Sequence, residues 1–213
     1  GTHVDDLLWA CKPAGEVIIS KIKDAFKFGT DEEREFVYCG KKVSQASDYS
    51  ITITCKESTL RIKPINIPPG MKGTAKLTPE LVTQLRSVAG SLAWIARSCR
   101  PDISYRVSKM LSYVSKGTVA DMKFVNKVVE YVHNTADQGI TFQSNAIDWD
   151  NCEIAVISDA SFAGEMDENK ESTRSQGGRL IALITPDCEK KDEHNLHIIA
   201  WHSVILRRAC RST

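Results

Sequence analysis

Three consecutive apolar stripes at helical spacing, each with its own start and stop signals, constrain this chain more than any other feature in it. The first opens at Thr78-Pro79, with threonine in the N-cap position and proline in the first turn, where a missing N–H does no harm. Leu81, Leu85, Val88 and Leu92 then recur at helical intervals. Pro101-Asp102 ends that helix and opens a second, with Ile103, Val107, Met110, Leu111 and Val114 along one face and Gly117 as its stop. Thr118 and Asp121 have the spacing of a capping box for a third helix, which carries Met122, Val125, Val128, Val129 and Val132. Residues 76–139 are therefore predicted to form a helical unit, and its stripes read as core faces, not as cofactor boxes.

The flanks follow a different period. Before the helices, Glu16 to Phe28 reads as an amphipathic helix, with Ile18, Ile19, Ile22, Ala25 and Phe26 on one face, Lys21, Lys23 and Lys27 on the other, and Gly29 as its stop. Glu35 to Ser44 reads as one strand. Tyr49 to Lys56 alternates as a second, half-buried strand, and Ser47-Asp48 supplies the turn between them. Leu60 to Thr74, broken by Pro64, Pro68, Pro69, Gly70 and Gly73, is a candidate linker. After the helices, Gly139 to Phe142 is extended and Ser144 to Asn151 is a polar connection. Ile154 to Ile157 then runs as a strand into Ser158-Asp159-Ala160, and Leu180 to Thr185 and Leu196 to Trp201 are further strands. The tail beyond them carries Arg207, Arg208 and Arg211. Sheet, helices and sheet in that order make an α+β chain.

Its 213 residues are enough for one large domain or two small ones, and 42% apolar with 26% charged residues is the composition of an ordinary globular protein. No apolar run is long enough to cross a bilayer, so no membrane partner is expected. The seven cysteines are scattered without a Cys-x-x-Cys pair, which fits reduced thiols in an intracellular protein better than zinc or a disulfide frame. His194 and His197 near Glu193 read as a solvated loop for want of further ligands. The first residue is not Met, and a chain that starts on a motif reads as a piece of something longer.

Charge is unevenly placed. Residues 56–116 hold eleven Lys and Arg against three Asp and Glu, a net +8 between two acidic thirds. Lys56, Arg61, Lys63, Lys72, Lys76, Arg86, Arg97 and Arg100 are candidate contacts to a phosphate backbone. A solvated helical surface is the plainer reading of the same residues.

At the start of the chain, Val4-Asp5-Asp6-Leu7-Leu8-Trp9 places adjacent carboxylates between residues suited to buried strands. Neighbours on a strand point to opposite faces, so both can serve one site only at a tight turn. Carboxylates this close repel unless a cation lies between them, and hard oxygen ligands suit Mg2+. An Asp-Asp turn with no metal is the alternative.

Several separated stretches together resemble the reverse transcriptase and ribonuclease H region of copia-type retrotransposon Pol polyproteins. His3-Val4-Asp5-Asp6-Leu7-Leu8 resembles the Tyr-x-Asp-Asp motif of reverse transcriptases. Val88-Ala89-Gly90-Ser91-Leu92, Ala96, Arg100-Pro101-Asp102-Ile103 and Val107 resemble the segment after the palm. Ser158-Asp159-Ala160-Ser161-Phe162-Ala163-Gly164 resembles the first strand of the ribonuclease H domain. Arg174-Ser175-Gln176-Gly177-Gly178 and Ala200-Trp201-His202-Ser203 fall at its second and third strands, and Arg211-Ser212-Thr213 resembles the opening of its next helix.

The resemblance implies the C-terminal part of a polymerase palm over residues 1–67, a helical thumb and connection over 76–139, and the first part of a ribonuclease H-like sheet over 152–213. It implies catalytic and Mg2+-binding roles for Asp5, Asp6 and Asp159. It also implies a primer–template and an RNA–DNA hybrid as partners, with deoxynucleoside triphosphates for the complete enzyme. The compartment would be a cytoplasmic particle or the nucleus, and the oligomeric state stays open. Three departures stand against a complete enzyme. His3 replaces the motif's tyrosine, the other palm aspartate would precede residue 1, and the ribonuclease's further carboxylates would follow Thr213; Glu165 has no ligand role in the pattern. A segment inactive alone is expected, and a non-catalytic nucleic-acid-binding remnant of a decayed transposable element is the alternative.

Overall fold

A computed structural model of the chain describes residues 1–4, 6–161, 165–166, 173–186 and 195–206. The three capped stripes become the core. Helix α3 spans Pro79–Ser98, a single 3-10 turn at Pro101–Ile103 leads into α4, Ser104–Lys116, and α5 follows over Val119–Asn134. Thr78 Oγ1 accepts from Leu81 N at 3.4 Å, as an N-cap should. The Thr118–Asp121 capping box is complete. Leu85, Leu92, Ile103, Met110, Met122, Val125, Val129 and Val132 are wholly buried in one cluster. Of the predicted face of α4, Leu111 stands outside the core and is exposed.

A four-stranded antiparallel sheet packs against these helices in the order β3-β4-β5-β6, with β3 at Glu35–Tyr38, β4 at Lys41–Gln45, β5 at Ile51–Thr54 and β6 at Gly139–Phe142. The alternation in β5 gives the sheet two different faces. Ile53, paired with Ile140, packs on the helical core, while Thr52 and Thr141 share a 3.0 Å hydrogen bond on the other side. The expected single strand from Glu35 to Ser44 is instead a hairpin. Its two turn residues, Cys39 and Gly40, both have positive φ (49° and 72°), which matches the twist of two-residue hairpin turns. Because β6 follows the helices but pairs with β5 before them, this sheet joins chain from both sides of the helical unit.

The expected linker is also corrected. Lys56–Leu60 forms a short helix, α2, and the irregular chain after it is pinned to the core. Ile62 and Ile65 are buried, Ile65 N donates to Asn126 Oδ1 (2.8 Å), and Asn126 Nδ2 donates back to Ile65 O (2.9 Å). Further on, Ala75 O and Gly73 O accept from Val119 N and Ala120 N, satisfying first-turn donors of α5 that have no partner within the helix. Prolines break regular structure here without freeing the chain. The polar connection after β6 is likewise anchored, with Ile147 buried.

The C-terminal sheet has the order β11-β10-β7, all antiparallel, from β7 at Glu153–Ala160, β10 at Gln176–Ile184 and β11 at His197–Ile205. A two-residue ladder, β8 at Glu165–Met166 with β9 at Thr173–Arg174, lies between β7 and β10 in the sequence. Trp201 joins this sheet to the helices by donating its Nε1–H to Ala96 O at 2.7 Å, a carbonyl in the last turn of α3 with no acceptor role within the helix. Gln176 Nε2 adds bonds to Ser108 Oγ (3.2 Å) and Ser203 Oγ (2.7 Å). His197 is not in a solvated loop. It is buried, its Nε2 lies 3.1 Å from Gln143 O, and its ring meets Phe142 edge-on. Glu193 and His194 lie outside the described residues.

At the N-terminus, β1 (Thr2–His3) pairs with β2 (Asp6–Leu7) in a small hairpin, and α1 spans Glu16–Ala25. The apolar stripe of α1 is real, but none of its residues is buried, and Val17 and Ile18 are largely exposed. It ends at Ala25, before Gly29. Among the described residues no helix is long and apolar enough to cross a membrane.

Candidate functional site

Asp6 opens β2 opposite His3 and is exposed, with Tyr38 near enough to feel its charge. Val4 was expected in a buried strand; it lies instead at the turn, with φ +54° and 93% exposure. Asp5 lies outside the described residues.

Asp159 is positioned by strand register. It pairs across β7 and β10 with Gly178, which adds no side chain to the sheet beside it. Two residues back along β7, on the same face, Ile157 is opposite Leu180, and Leu180 is opposite Trp201 on β11. This face looks toward the start of α4 across a cleft of about 290 Å3, walled on the helical side by Pro101, Asp102, Ser104 and Tyr105. Asp159 Oδ1 accepts from Ala160 N at 2.8 Å. No third acidic, histidine or cysteine side chain completes a metal-binding group anywhere among the described residues. Neither Asp6 nor Asp159 belongs to such a group of three among the described residues, and Mg2+ held by fewer carboxylates depends on substrate phosphates for its other oxygens. The described residues therefore do not build a Mg2+ site by themselves.

The basic block divides into a surface set and one interior residue. Lys63, Lys72 and Lys76 are exposed on the irregular segment, while Arg86 and Arg97 are exposed on α3. Lys56 pairs with Asp137 (2.6 Å), and Arg61 pairs with Glu57 (3.5 Å) at the surface. Arg100 is a correction to the predicted phosphate contacts: its side chain is only 2% exposed. Its Nε and Nη2 donate to the two oxygens of Asp102, each at 2.8 Å, and it also donates to Thr135 O (2.9 Å) and Thr135 Oγ1 (2.8 Å). Tyr131 donates its O–H to Asp102 Oδ2 at 3.1 Å, and its ring centroid is 5.7 Å from the Arg100 guanidinium and 4.7 Å from that of Arg106. Burial alone would raise the Asp102 pKa, but the hydrogen bonds and charge of Arg100, with Tyr131, hold it below the usual carboxylate range. A bidentate, buried guanidinium of this kind fixes the corner between α3 and α4, with four of its five N–H groups already given to protein acceptors.

On α3, Arg86 and Arg97 are eleven residues apart, which at 100° and 1.5 Å per residue sets them on one side of the helix, roughly 16 Å apart. Between them the exposed positions are Ser87, Gly90, Ser91 and Trp94. Trp94 packs over the β3-β4 turn, close to Gly40.

Two relatives align with most of this architecture. They are the retrovirus-related Pol polyproteins of transposons RE2 and RE1 of Arabidopsis thaliana. The first is 27% identical over 183 residues, 78% of this chain, and the second 27% identical over 143 residues, 64% of it. The chain is similar to transposon Pol polyproteins. It spans 12% and 9% of the lengths of those two relatives. An uncharacterized mitochondrial protein of the same plant is 26% identical over 130 residues, 59% of this chain and 51% of that protein. No family model and no solved structure matches the chain.

Sequence reasoning passed over two residues that organise this region. Asp102 was read as a helix opener within the Arg100-Pro101-Asp102-Ile103 stretch, with no partner assigned, yet it binds Arg100 and walls the cleft facing Asp159. Trp201 was read only as part of a strand. Its signal, an indole in an otherwise aliphatic run, marks a buried N–H that needs an acceptor.

Proposed function

We propose that this segment is the nucleic-acid-gripping part of a transposon reverse transcriptase with its ribonuclease H, running from the end of the palm into the first ribonuclease H strands. The observation that carries the reading is the exposed stripe of α3, where Arg86 and Arg97 flank Ser87, Gly90, Ser91 and Trp94 on a helix whose opposite side is the rigid core. Two arginines set roughly 16 Å apart along one side of the helix, with Ser87, Gly90, Ser91 and Trp94 exposed between them, suit contact with a phosphate backbone. Lys63, Lys72 and Lys76 extend the positive surface. The order of motifs and the likeness to transposon Pol polyproteins support a primer–template or RNA–DNA hybrid as the ligand. In this reading Asp5, Asp6 and Asp159 belong to Mg2+-dependent sites whose remaining carboxylates come from a longer chain.

The test is fluorescence anisotropy of a labelled RNA–DNA hybrid against salt, beside primer extension and hybrid-RNA cleavage with Mg2+. Binding should weaken steeply with salt, and Arg86→Ala with Arg97→Ala should reduce the logarithmic salt slope by about two, near one per lost phosphate contact. No turnover is expected from the 213-residue chain, with Asp5→Asn, Asp6→Asn and Asp159→Asn as controls. Salt-independent binding would remove the role of the basic surface. Turnover abolished by those aspartate changes would show that the sites are complete after all. The second reading, a non-catalytic binding remnant, is favoured by His3 in the motif's tyrosine position; flanking reading frame interrupted by stop codons would decide for it.

A further inference from the structure

Two sheet edges face each other beside the end of α3 without pairing. β6 ends the four-stranded sheet, β11 ends the C-terminal one, and among the described residues no ladder joins them. Two contacts pin the C-terminal sheet here: His197 Nε2 lies 3.1 Å from Gln143 O, and Trp201 donates to Ala96 O. Beside these pins lies a cleft of about 400 Å3. Close-packed interiors leave few voids larger than a water molecule. Sites for small molecules begin at about 300 Å3, so the cleft has the size of a site and not of a packing fault.

Its walls are apolar. Ile53, Ile140 and Phe142 supply one side, Ile198 and Trp201 the other. Both aromatic rings are set before a ligand arrives. Trp201 is held by its bond to Ala96 O, and Phe142 by edge-on contact with the His197 ring, centroids 5.4 Å apart. A wall fixed in advance needs less ordering on binding. Arg97 and Ser98 stand at the helical end. Among the described residues that line the cleft Arg97 is the one charged side chain; it is exposed and has no ion pair among them. A guanidinium donates and never accepts, so it selects an anionic group, and a cation finds no carboxylate here.

We propose that this cleft binds a small, flat, mostly apolar anion, with its rings between Phe142 and Trp201 and its charge on Arg97. Edge strands also carry backbone N–H and C=O groups that their own sheet does not use. Ile199, skipped where the β10–β11 register shifts, stands on the β11 side of the cleft, where polar atoms on the rim of a ligand meet such groups. Because Arg97 also belongs to the proposed nucleic-acid surface, a bound anion takes one of its phosphate contacts. That consequence rests on the nucleic-acid reading; the cleft itself does not.

The experiment titrates the 213-residue chain with anilinonaphthalene sulfonate, an aromatic anion that fluoresces in apolar surroundings, and with phenylnaphthylamine, the same ring system without the charge. No nucleic acid is present, so the outcome does not depend on that reading. Saturable binding of the sulfonate at one site per chain is expected, at least about fivefold tighter than the neutral dye. Arg97→Ala should abolish that preference, and Arg97→Lys should keep most of it. Ala200→Phe adds a ring to the cleft from an exposed position on β11 and should weaken both dyes by about tenfold, with circular dichroism unchanged. Equal affinity for the two dyes in the wild type would overturn the proposal. So would several equivalents of dye bound regardless of Ala200→Phe, which would place it on other apolar surface, such as Ile154 and Val156 of β7. If Ala200→Phe does not fold, the charge preference and its fate in Arg97→Ala decide.

Discussion

Replacing Asp102 by alanine should cost this fold about 3 kcal/mol, although Asp102 itself is partly exposed. The reason lies in its partner. Arg100 is 2% exposed, and two of its four hydrogen bonds end on the Asp102 carboxylate. Without that carboxylate a buried guanidinium keeps only Thr135 as acceptor. Breaking a buried pair from one side costs about 3–5 kcal/mol. The 36% exposure of Asp102 admits water to the gap and places the value at the low end. For a chain of this size the midpoint of thermal unfolding should fall by roughly 6–12 °C. Urea unfolding followed by helical circular dichroism measures it. The double variant Arg100→Met with Asp102→Ala removes the orphaned charge and should be less destabilised than Asp102→Ala alone. The pH dependence follows from the lowered Asp102 pKa. A carboxylate whose folded pKa is depressed stabilises fully above its unfolded value, about 4, and that contribution is lost as pH falls through the folded value. The gap between wild type and Asp102→Ala should therefore hold from about pH 7 to 5 and narrow below about 4. A cost under about 1 kcal/mol, or a double variant less stable than the single, would refute the reasoning.

Trp201→Phe keeps the ring but removes the donor to Ala96 O, and should cost about 1–2 kcal/mol, read as faster amide exchange along β11 while α5 stays protected. Gly139→Ala places a methyl group 2.1 Å from Ile53 O, a position no side chain can hold without moving the backbone. It should part β6 from β5 and lower stability by at least about 2 kcal/mol in urea unfolding; an unchanged urea midpoint would contradict the close approach of the two strands.

What the sequence determined by itself was everything carried by local period and local capping. The helices at α3, α4 and α5 stand where apolar spacing, Thr78-Pro79, Gly117 and the Thr118–Asp121 box put them, because each signal acts within about one helical turn. The alternation of β5 was legible for the same reason, and the likeness to transposon Pol polyproteins came from the order of short motifs. Only the tertiary structure decided which polar residues were consumed inside. Arg100 counted as one more positive charge until Asp102 and Thr135 enclosed it, since the charge of a residue is local but its burial depends on chain thirty-five residues away. The irregular segment looked like a linker because prolines exclude regular hydrogen bonding; Asn126 and the first turn of α5 supplied the partners instead. The Cys39-Gly40 turn lay within a stretch from Glu35 to Ser44 short enough to read as one strand, and the positive φ of both residues is what divides it into two. The cleft beside Asp159 joins residues that are distant in sequence, and no periodicity reports a meeting of that kind.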